Sequence, residues 1–197
     1  KCNVLDMNNY FITGVNGKHL PGKSDADVSY FEATSKTLEF IPQGIHDQFP
    51  KVNSLKVNFE KLAEVIDEDL KPFGANLTFL SITNSSIEVI PSNAFASTPN
   101  INYMYLASSS LKSIEDGAFD ALKNLNTLIV KFPCDNEEAM NRGDVENLIQ
   151  RLSINCHNKT IHFEPKKRPQ KPNSAMNQKG SVIMMSLLMI FVISVLA

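Results

Sequence analysis

The chain has 197 residues, with 19 basic and 21 acidic side chains, 43% hydrophobic residues and no tryptophan. This length and composition suit one globular domain or little more. All 21 acidic side chains but only 14 of the basic ones lie in residues 1–164, so this part of the chain is acidic. It lacks the clustered lysine and arginine that nucleic-acid phosphates require, which argues against nucleic acid as a partner.

Residues 1–29 are predicted to form an N-terminal cap. The sequence starts with Lys1 rather than methionine, so we take it as a processed chain or a fragment. Cys2 is expected to pair with a cysteine upstream of this sequence. A free reactive thiol is the alternative interpretation of Cys2.

An internal repeat of 24 or 25 residues runs through the centre of the chain. Residues 77–82 align with residues 101–106, and apolar residues recur at the same spacing before and after them. The matched positions include Ile87 and Leu111, Ile90 and Ile114, Phe95 and Phe119, and Met104 and Leu128. Such a period is typical of repeat proteins, whose units bury their apolar sides only by stacking.

The pattern LxxLxLxxxxLxxIxxxxF, clearest in residues 77–95 and 101–119, resembles the extracellular leucine-rich repeat family. Within that family the chain is most like small secreted or surface proteins of insects. Residues 17–45 and 141–156 resemble the segments that usually flank the repeats. The family often places asparagine at the ninth repeat position, which here holds Lys36, Glu60, Ser85, Ser109 and Pro133. We therefore expect no regular asparagine ladder.

Each repeat is predicted to supply one short strand. In residues 79–84, Leu80 and Ile82 are expected to point inward, while Phe79, Ser81 and Thr83 point outward. The predicted fold is an α/β solenoid over residues 30–133. It has parallel strands on a concave face, irregular or short helical turns on the convex face, and a helical C-terminal cap.

Residues 134–163 are predicted to form this cap. Asp144 is a good N-cap, and apolar residues follow it at helical spacing from Val145 to Leu152. Cys134 and Cys156 bracket the helix and are expected to form a disulfide, which implies an oxidising compartment. A zinc site that combines these cysteines with His157 and His162 is the alternative, although its ligand spacing is unusual.

The end of the chain is predicted to contact a membrane. Residues 164–181 form a basic, proline-rich linker, and residues 182–197 form an uncharged tail that would reach roughly 24 Å as a helix. Small residues at Asn173 and Ser174 before this tail favour a glycosylphosphatidylinositol anchor. A C-terminal membrane helix is the first alternative, and a soluble protein or an imperfect gene model is the second. We expect an extracellular protein anchored at the cell surface.

The functional prediction is recognition of a protein ligand or co-receptor through the concave face, without a cofactor or a metal. The outward aromatic and apolar side chains predicted to bind the partner are Phe59, Phe79, Tyr103, Tyr105, Ile129 and Phe132. Their alternative role is to pack sideways on one another. Glycosylation is expected at Asn76, Asn84 and Asn158.

Two other classes of function stay open. In one, the protein is a structural, tail-anchored membrane component whose repeats act as a spacer. In the other, the cysteine and histidine cluster is a metal-dependent active site. No nucleophile motif or phosphate-binding loop occurs in the sequence, which indicates a protein that is not an enzyme.

Overall fold

A computed structural model describes residues 4–8, 10–16, 19, 21–170 and 190–194. Its strands are β1 Val4–Asn8, β2 Phe11–Asn16, β3 Tyr30–Ser35, β4 Ser54–Phe59, β5 Phe79–Ser85, β6 Val89–Ile90, β7 Tyr103–Ser108, β8 Ser113–Ile114, β9 Thr127–Lys131, β10 Asn136–Ala139 and β11 Ile190–Ser194. Its α-helices are α1 Ile45–Gln48, α2 Asp67–Leu70 and α3 Arg142–Asn155. Cys2, Asn173 and Ser174, with the predictions made for them, lie outside the described residues.

One seven-stranded sheet organises the molecule, in the order β10-β9-β7-β5-β4-β3-β11. The five central strands come from successive repeats and run parallel, whereas β10 and β11 are antiparallel at the two edges. Each crossover between parallel strands contains about 20 residues with little helix. A mostly parallel sheet with few helices fits an α/β repeat fold.

The core lies between this sheet and the turns that return the chain to the next strand. Leu55, Leu80, Met104 and Leu128 occupy one row of paired positions and are completely buried. On the opposite side, which we call the turn side, α1, α2 and the small parallel pair β6–β8 close the core. Phe95 and Phe119, separated by one repeat, stack with ring centroids 5.8 Å apart. The repeat spacing of the sequence is thus the packing period of the core.

The ninth repeat position differs from the sequence prediction by one residue in most repeats. Ser35 pairs with Phe59, and Ser85 pairs with Ser108, so Ser35, Phe59 and Ser108 take the place expected for Lys36, Glu60 and Ser109. The offset is absent in β5 because this strand contains one extra residue at a bulge, where Asn84 adopts a left-handed φ of 54°. Counting nine residues from the start of every repeat therefore misplaces the inward residue by one in the repeats that lack this bulge.

Buried serines at the corrected positions replace the absent asparagine ladder. The hydroxyl of Ser85 donates a hydrogen bond of 2.9 Å to the Ala107 carbonyl, and that of Ser108 donates one of 2.7 Å to the Ile87 carbonyl. An asparagine pair occurs elsewhere, just before the strands, where the Asn124 amide donates to the Asn100 side-chain oxygen at 2.9 Å.

The N-terminal hairpin of β1 and β2 lies against the turn of the first repeat. The amide of Ile12 donates to the Gln43 carbonyl at 2.9 Å, and the amide of Gln43 donates to the Tyr10 carbonyl at 2.8 Å. Gly44 follows with a φ of 84°, and a Cβ there would lie 3.2 Å from the Ile12 carbonyl oxygen. The close approach of the hairpin therefore favours glycine at this position.

Helix α3 covers the other end of the core. Its apolar side buries Val145, Leu148 and Leu152, and the helix contacts β9 and β10. The N-cap is Asn141, whose side chain accepts a hydrogen bond from the Asp144 amide, so the cap lies three residues before the predicted one. The sulfur atoms of Cys134 and Cys156 are 2.06 Å apart, which is the disulfide distance.

After α3 the chain turns back across the turn side of the repeats. The Ile114 amide donates to the Cys156 carbonyl at 2.8 Å, and the Phe163 amide donates to the Glu115 carboxylate at 3.1 Å. The described part of the predicted linker, residues 164–170, then lies against the first two repeats through Arg168. We call residues 157–168 the strap.

Part of the apolar tail forms a strand. Residues 190–194, as β11, pair antiparallel with residues 30–34 of β3. Nowhere in the described ranges is there a helix with the length and apolar character needed to cross a bilayer. Membrane anchorage through the tail stays a prediction.

Candidate functional site: the open face of the sheet

The outward side chains of the five parallel strands form the open face, in two main rows. The first row contains Tyr30, Ser54, Phe79, Tyr103 and Thr127. The second row contains Glu32, Lys56, Ser81, Tyr105 and Ile129. Parallel pairing without a register shift keeps each row in line, so residues that are about 24 positions apart become neighbours.

Three predicted binding residues lie together at the centre of this face. The rings of Phe79 and Tyr103 stack with centroids 4.8 Å apart and an interplanar angle of 9°. Tyr105 stands two residues further along β7, on the same face, beside Ser81. All three side chains are partly exposed, so the predicted sideways packing occurs and still leaves aromatic surface accessible.

The outward orientation expected for Phe59 and Phe132 is wrong. Phe59 is 0% exposed and Phe132 is 7% exposed, and both belong to the core. Phe59 continues the alternation in which Leu55 and Val57 point inward. Lys131 pairs with Ala107, so Phe132, the residue after Lys131, takes the position that Ser108 holds in the preceding repeat. Both phenylalanines thus occupy the inward position that Ser35 and Ser108 hold in other repeats.

Ile129 has the predicted outward position but little accessible surface. It is 9% exposed because its neighbours in the sheet are Tyr105 of β7 and Glu138 of β10. The antiparallel strand β10, which was not predicted, therefore extends the sheet past the last repeat. Ile129 is thus the neighbour of Tyr105 in the second row and offers a partner little contact area itself.

The end of the open face near β3 is polar. The Lys56 ammonium lies 2.8 Å from the Glu32 carboxylate, which also accepts a 3.0 Å hydrogen bond from the Tyr30 hydroxyl. Burial, together with the hydrogen bond to Glu32, raises the pKa of Tyr30 to about 12. Tyr30 is therefore a neutral donor at physiological pH, and this end presents a satisfied charge pair beside the aromatic centre.

An open cleft of about 380 Å³ lies at the carboxyl ends of β5, β7 and β9, and none of the three aromatic residues at the centre of the face lines it. Asn84, Lys131 and Asn136 contribute polar groups to its walls. Asn84 is exposed, and so are Asn76 and Asn158, the other asparagines predicted to carry glycans. A glycan on Asn84 would occupy this cleft.

Three of the four residues of the alternative metal site, Cys134, Cys156 and His157, make other contacts. Cys134 and Cys156 lie at disulfide distance, and His157 Nδ1 is 3.2 Å from the Ile114 carbonyl oxygen. No group of three metal-ligating side chains occurs within the described part of the chain.

Sequence reasoning missed a buried ionic cluster on the turn side. Glu64 and Asp69 are buried and hold Arg168, which comes from the predicted linker. A run of consecutive acidic residues such as 67–69 usually lies in a solvated turn. The one local feature of the sequence that points to this cluster is the acidic residue at the third position of α2. The Asp69 carboxylate there accepts a hydrogen bond of 3.1 Å from the Ile66 amide.

Comparison with known proteins bears on the repeats. No curated protein matches the chain. Residues 75–132 match a family model described as Leucine rich repeat, and this region contains β5 to β9 with the aromatic centre of the open face. The match supports a leucine-rich repeat protein and suggests a protein-interaction module, in a family that is generally not enzymatic.

Proposed function

We propose that this protein is a non-enzymatic recognition protein that binds a protein partner through the open face, taken as the concave side of a solenoid capped by α3. The observation that carries the proposal is the partly exposed aromatic group of Phe79, Tyr103 and Tyr105 on a rigid sheet. Aromatic side chains with few rotatable bonds bury much area at little entropic cost, and they commonly dominate binding energy.

The open face combines an apolar centre with a polar margin. Glu32 and Lys56 lie at one side of the aromatic group, and Lys131 lies at the other. Such an arrangement suits a protein ligand, because an apolar centre supplies affinity while a charged margin supplies orientation. Since the sheet is preformed, little ordering is required on binding.

We further propose that the protein is extracellular and held at the cell surface by a glycosylphosphatidylinositol anchor that replaces the apolar tail, so that β11 would be lost when the anchor is attached. The supporting observations are the Cys134–Cys156 pair at disulfide distance and the exposure of the three sequon asparagines. Treatment of expressing cells with a phospholipase specific for glycosylphosphatidylinositol should release the protein. Retention at the surface would contradict the lipid anchor.

The binding proposal is tested with the double variant Tyr103→Ala/Tyr105→Ala. The full chain would be screened against a panel of secreted and cell-surface ectodomains, and a positive partner titrated with each variant. We expect affinity to fall at least about tenfold, because truncation of two adjacent anchors removes central contact area.

Met140→Ala/Ile154→Ala is the matched control, since these apolar side chains are exposed to 59% and 77% outside the open face. Binding should survive this change. Equal affinities of the Tyr103→Ala/Tyr105→Ala variant and the unmodified chain would refute the proposal and favour a spacer role for the repeats.

A further inference from the structure

We propose that the turn side of the first two repeats carries a guanidinium-binding site, formed by Glu64, Asp69 and Phe40, and that Arg168 of the strap occupies it. The site would select an arginine in an extended, proline-flanked segment. Its occupation fixes the path of the chain after α3.

Two buried carboxylates define the site. The side chains of Glu64 and Asp69 are exposed to only 3% and 2%, and both come from the turn that follows β4. Arg168 Nη2 lies 3.0 Å from Glu64 Oε1 and donates a hydrogen bond of 2.7 Å to Asp69 Oδ2. Because an unpaired buried carboxylate is strongly destabilising, the pair favours a cation at this place.

An aromatic ring forms the remaining wall. The Arg168 guanidinium carbon lies 4.3 Å from the centroid of the Phe40 ring. The edge of Phe40 in turn contacts Tyr10 of the N-terminal hairpin, with ring centroids 5.7 Å apart. A planar guanidinium stacks on such a ring, whereas a lysine ammonium offers only a point charge, so arginine fits the site better.

The backbone of the strap also takes part. The Lys166 amide donates a hydrogen bond of 3.0 Å to Glu64 Oε2, so one carboxylate holds both the main chain and the side chain of this segment. A groove of about 480 Å³ lies alongside, between Phe163 of the strap and Glu39 and Glu88 of the repeats. The strap is therefore held at several points, and Arg168 is its most buried cation.

The position of the tail follows from this contact. The strap leaves the cap at Cys156, beside the fourth repeat, and reaches the first repeat at Phe40. The chain after Arg168 thus continues from the end of the sheet at which β11 pairs with β3. If the chain is anchored after Arg168 as proposed above, the first repeat and the N-terminal hairpin lie nearest the membrane.

Trypsin tests whether Arg168 holds the strap. Lys166 and Lys167 are exposed cleavage sites, whereas Arg168 and Lys171 precede proline and resist cleavage. We expect Arg168→Gln in the full chain to raise the cleavage rate after Lys166 and Lys167 at least about tenfold, because cleavage follows the population of the released strap. Arg151→Gln, which removes a half-exposed arginine of α3, should leave this rate unchanged.

A trans experiment tests the site directly in an Arg168→Gln variant that circular dichroism shows to be folded. The probe is a blocked peptide of residues 163–170, titrated into the triple variant Glu64→Gln/Asp69→Asn/Arg168→Gln and into Arg168→Gln. The peptide should bind Arg168→Gln and not the triple variant, and a peptide with glutamine in place of arginine should bind neither.

The proposal is overturned if Arg168→Gln folds and is cleaved at the rate of the unmodified chain. If Arg168→Gln does not fold, the same cleavage experiment is done on the triple variant, which has no buried charge to compensate. The proposal is also overturned if the triple variant folds and its strap is cleaved no faster than in the unmodified chain. Neither readout involves a protein partner or a membrane, so failure here is distinct from failure of the proposed function.

Discussion

The last residue of each strand decides how neighbouring repeats are joined. Ser35 and Ser108 hold this place in two repeats, and Phe59 holds it in another. A serine there satisfies backbone groups of the turn, while a phenylalanine fills volume in the core. The choice matters because a buried carbonyl without a donor is destabilising.

Ser108→Ala should destabilise the protein by about 1–3 kcal/mol, because the buried Ile87 carbonyl loses its 2.7 Å hydrogen bond from the hydroxyl. The measurement is the free energy of unfolding from denaturant titration. Ser109→Ala is the matched control, since Ser109 is exposed, and its effect should be within about 0.5 kcal/mol. A larger effect of Ser109→Ala than of Ser108→Ala would show that the ninth position is Ser109, as counting along the sequence predicts.

At the scale of elements, the last repeat depends on β10 and α3. Strand β10 pairs with β9, and Arg142 at the start of α3 donates to the Leu122 and Leu125 carbonyls of the last turn. The Cys134–Cys156 pair joins the end of β9 to the end of α3 across 22 residues. These contacts cover apolar surface that a terminal repeat would otherwise expose.

Cys134→Ala/Cys156→Ala should lower the free energy of unfolding by about 3 kcal/mol in the chain-entropy model, because the unfolded chain is no longer cross-linked. Thermal unfolding of the oxidised chain, the reduced chain and the variant would measure this. The reduced chain should behave like the variant, and Cys2→Ala should not. If reduction left the melting temperature unchanged, the cross-link would have no role in stability.

At the scale of the whole molecule, the strap connects regions that repeat stacking alone keeps apart. Repeat arrays are stabilised chiefly by contacts between adjacent units. Here Arg168 meets Glu64 and Asp69, about 100 residues earlier, and the first repeat is thereby tied to the segment that follows the cap. One arginine compensates two buried carboxylates, so the cluster retains an electrostatic cost.

This cost predicts the pH dependence of stability. Burial raises the pKa of Asp69 from 3.8 to about 6, while Arg168 and the Ile66 amide oppose the rise. Since the folded pKa exceeds the unfolded one, the stabilising contribution of protonated Asp69 is complete below about pH 4 and is lost as the pH rises through 6. Relative to Asp69→Asn, the unmodified chain should lose about 1–3 kcal/mol between pH 4 and pH 7.

Denaturant titrations at pH 4, 5, 6 and 7 would measure this difference. Asp47→Asn is the matched control, because Asp47 holds the same third position of its short helix α1 but is exposed. The difference in free energy of unfolding between Asp47→Asn and the unmodified chain should not show the change between pH 4 and pH 7 that is expected for Asp69→Asn. Parallel stability curves for Asp69→Asn and the unmodified chain would contradict a raised pKa of Asp69.

The sequence by itself determined the repeat period, the inward positions of most strands, the cysteine pair and the aromatic centre of the open face. These features could be predicted because alternation and spacing are local properties of the chain. The inward positions of Phe59 and Phe132 were also in the sequence, because they continue the alternation of buried residues in their strands, whereas tertiary structure alone decided the covering of Ile129 by β10 and the docking of Arg168. These two features depend on an added strand and on a partner about 100 residues away, and no periodicity within one repeat encodes such contacts.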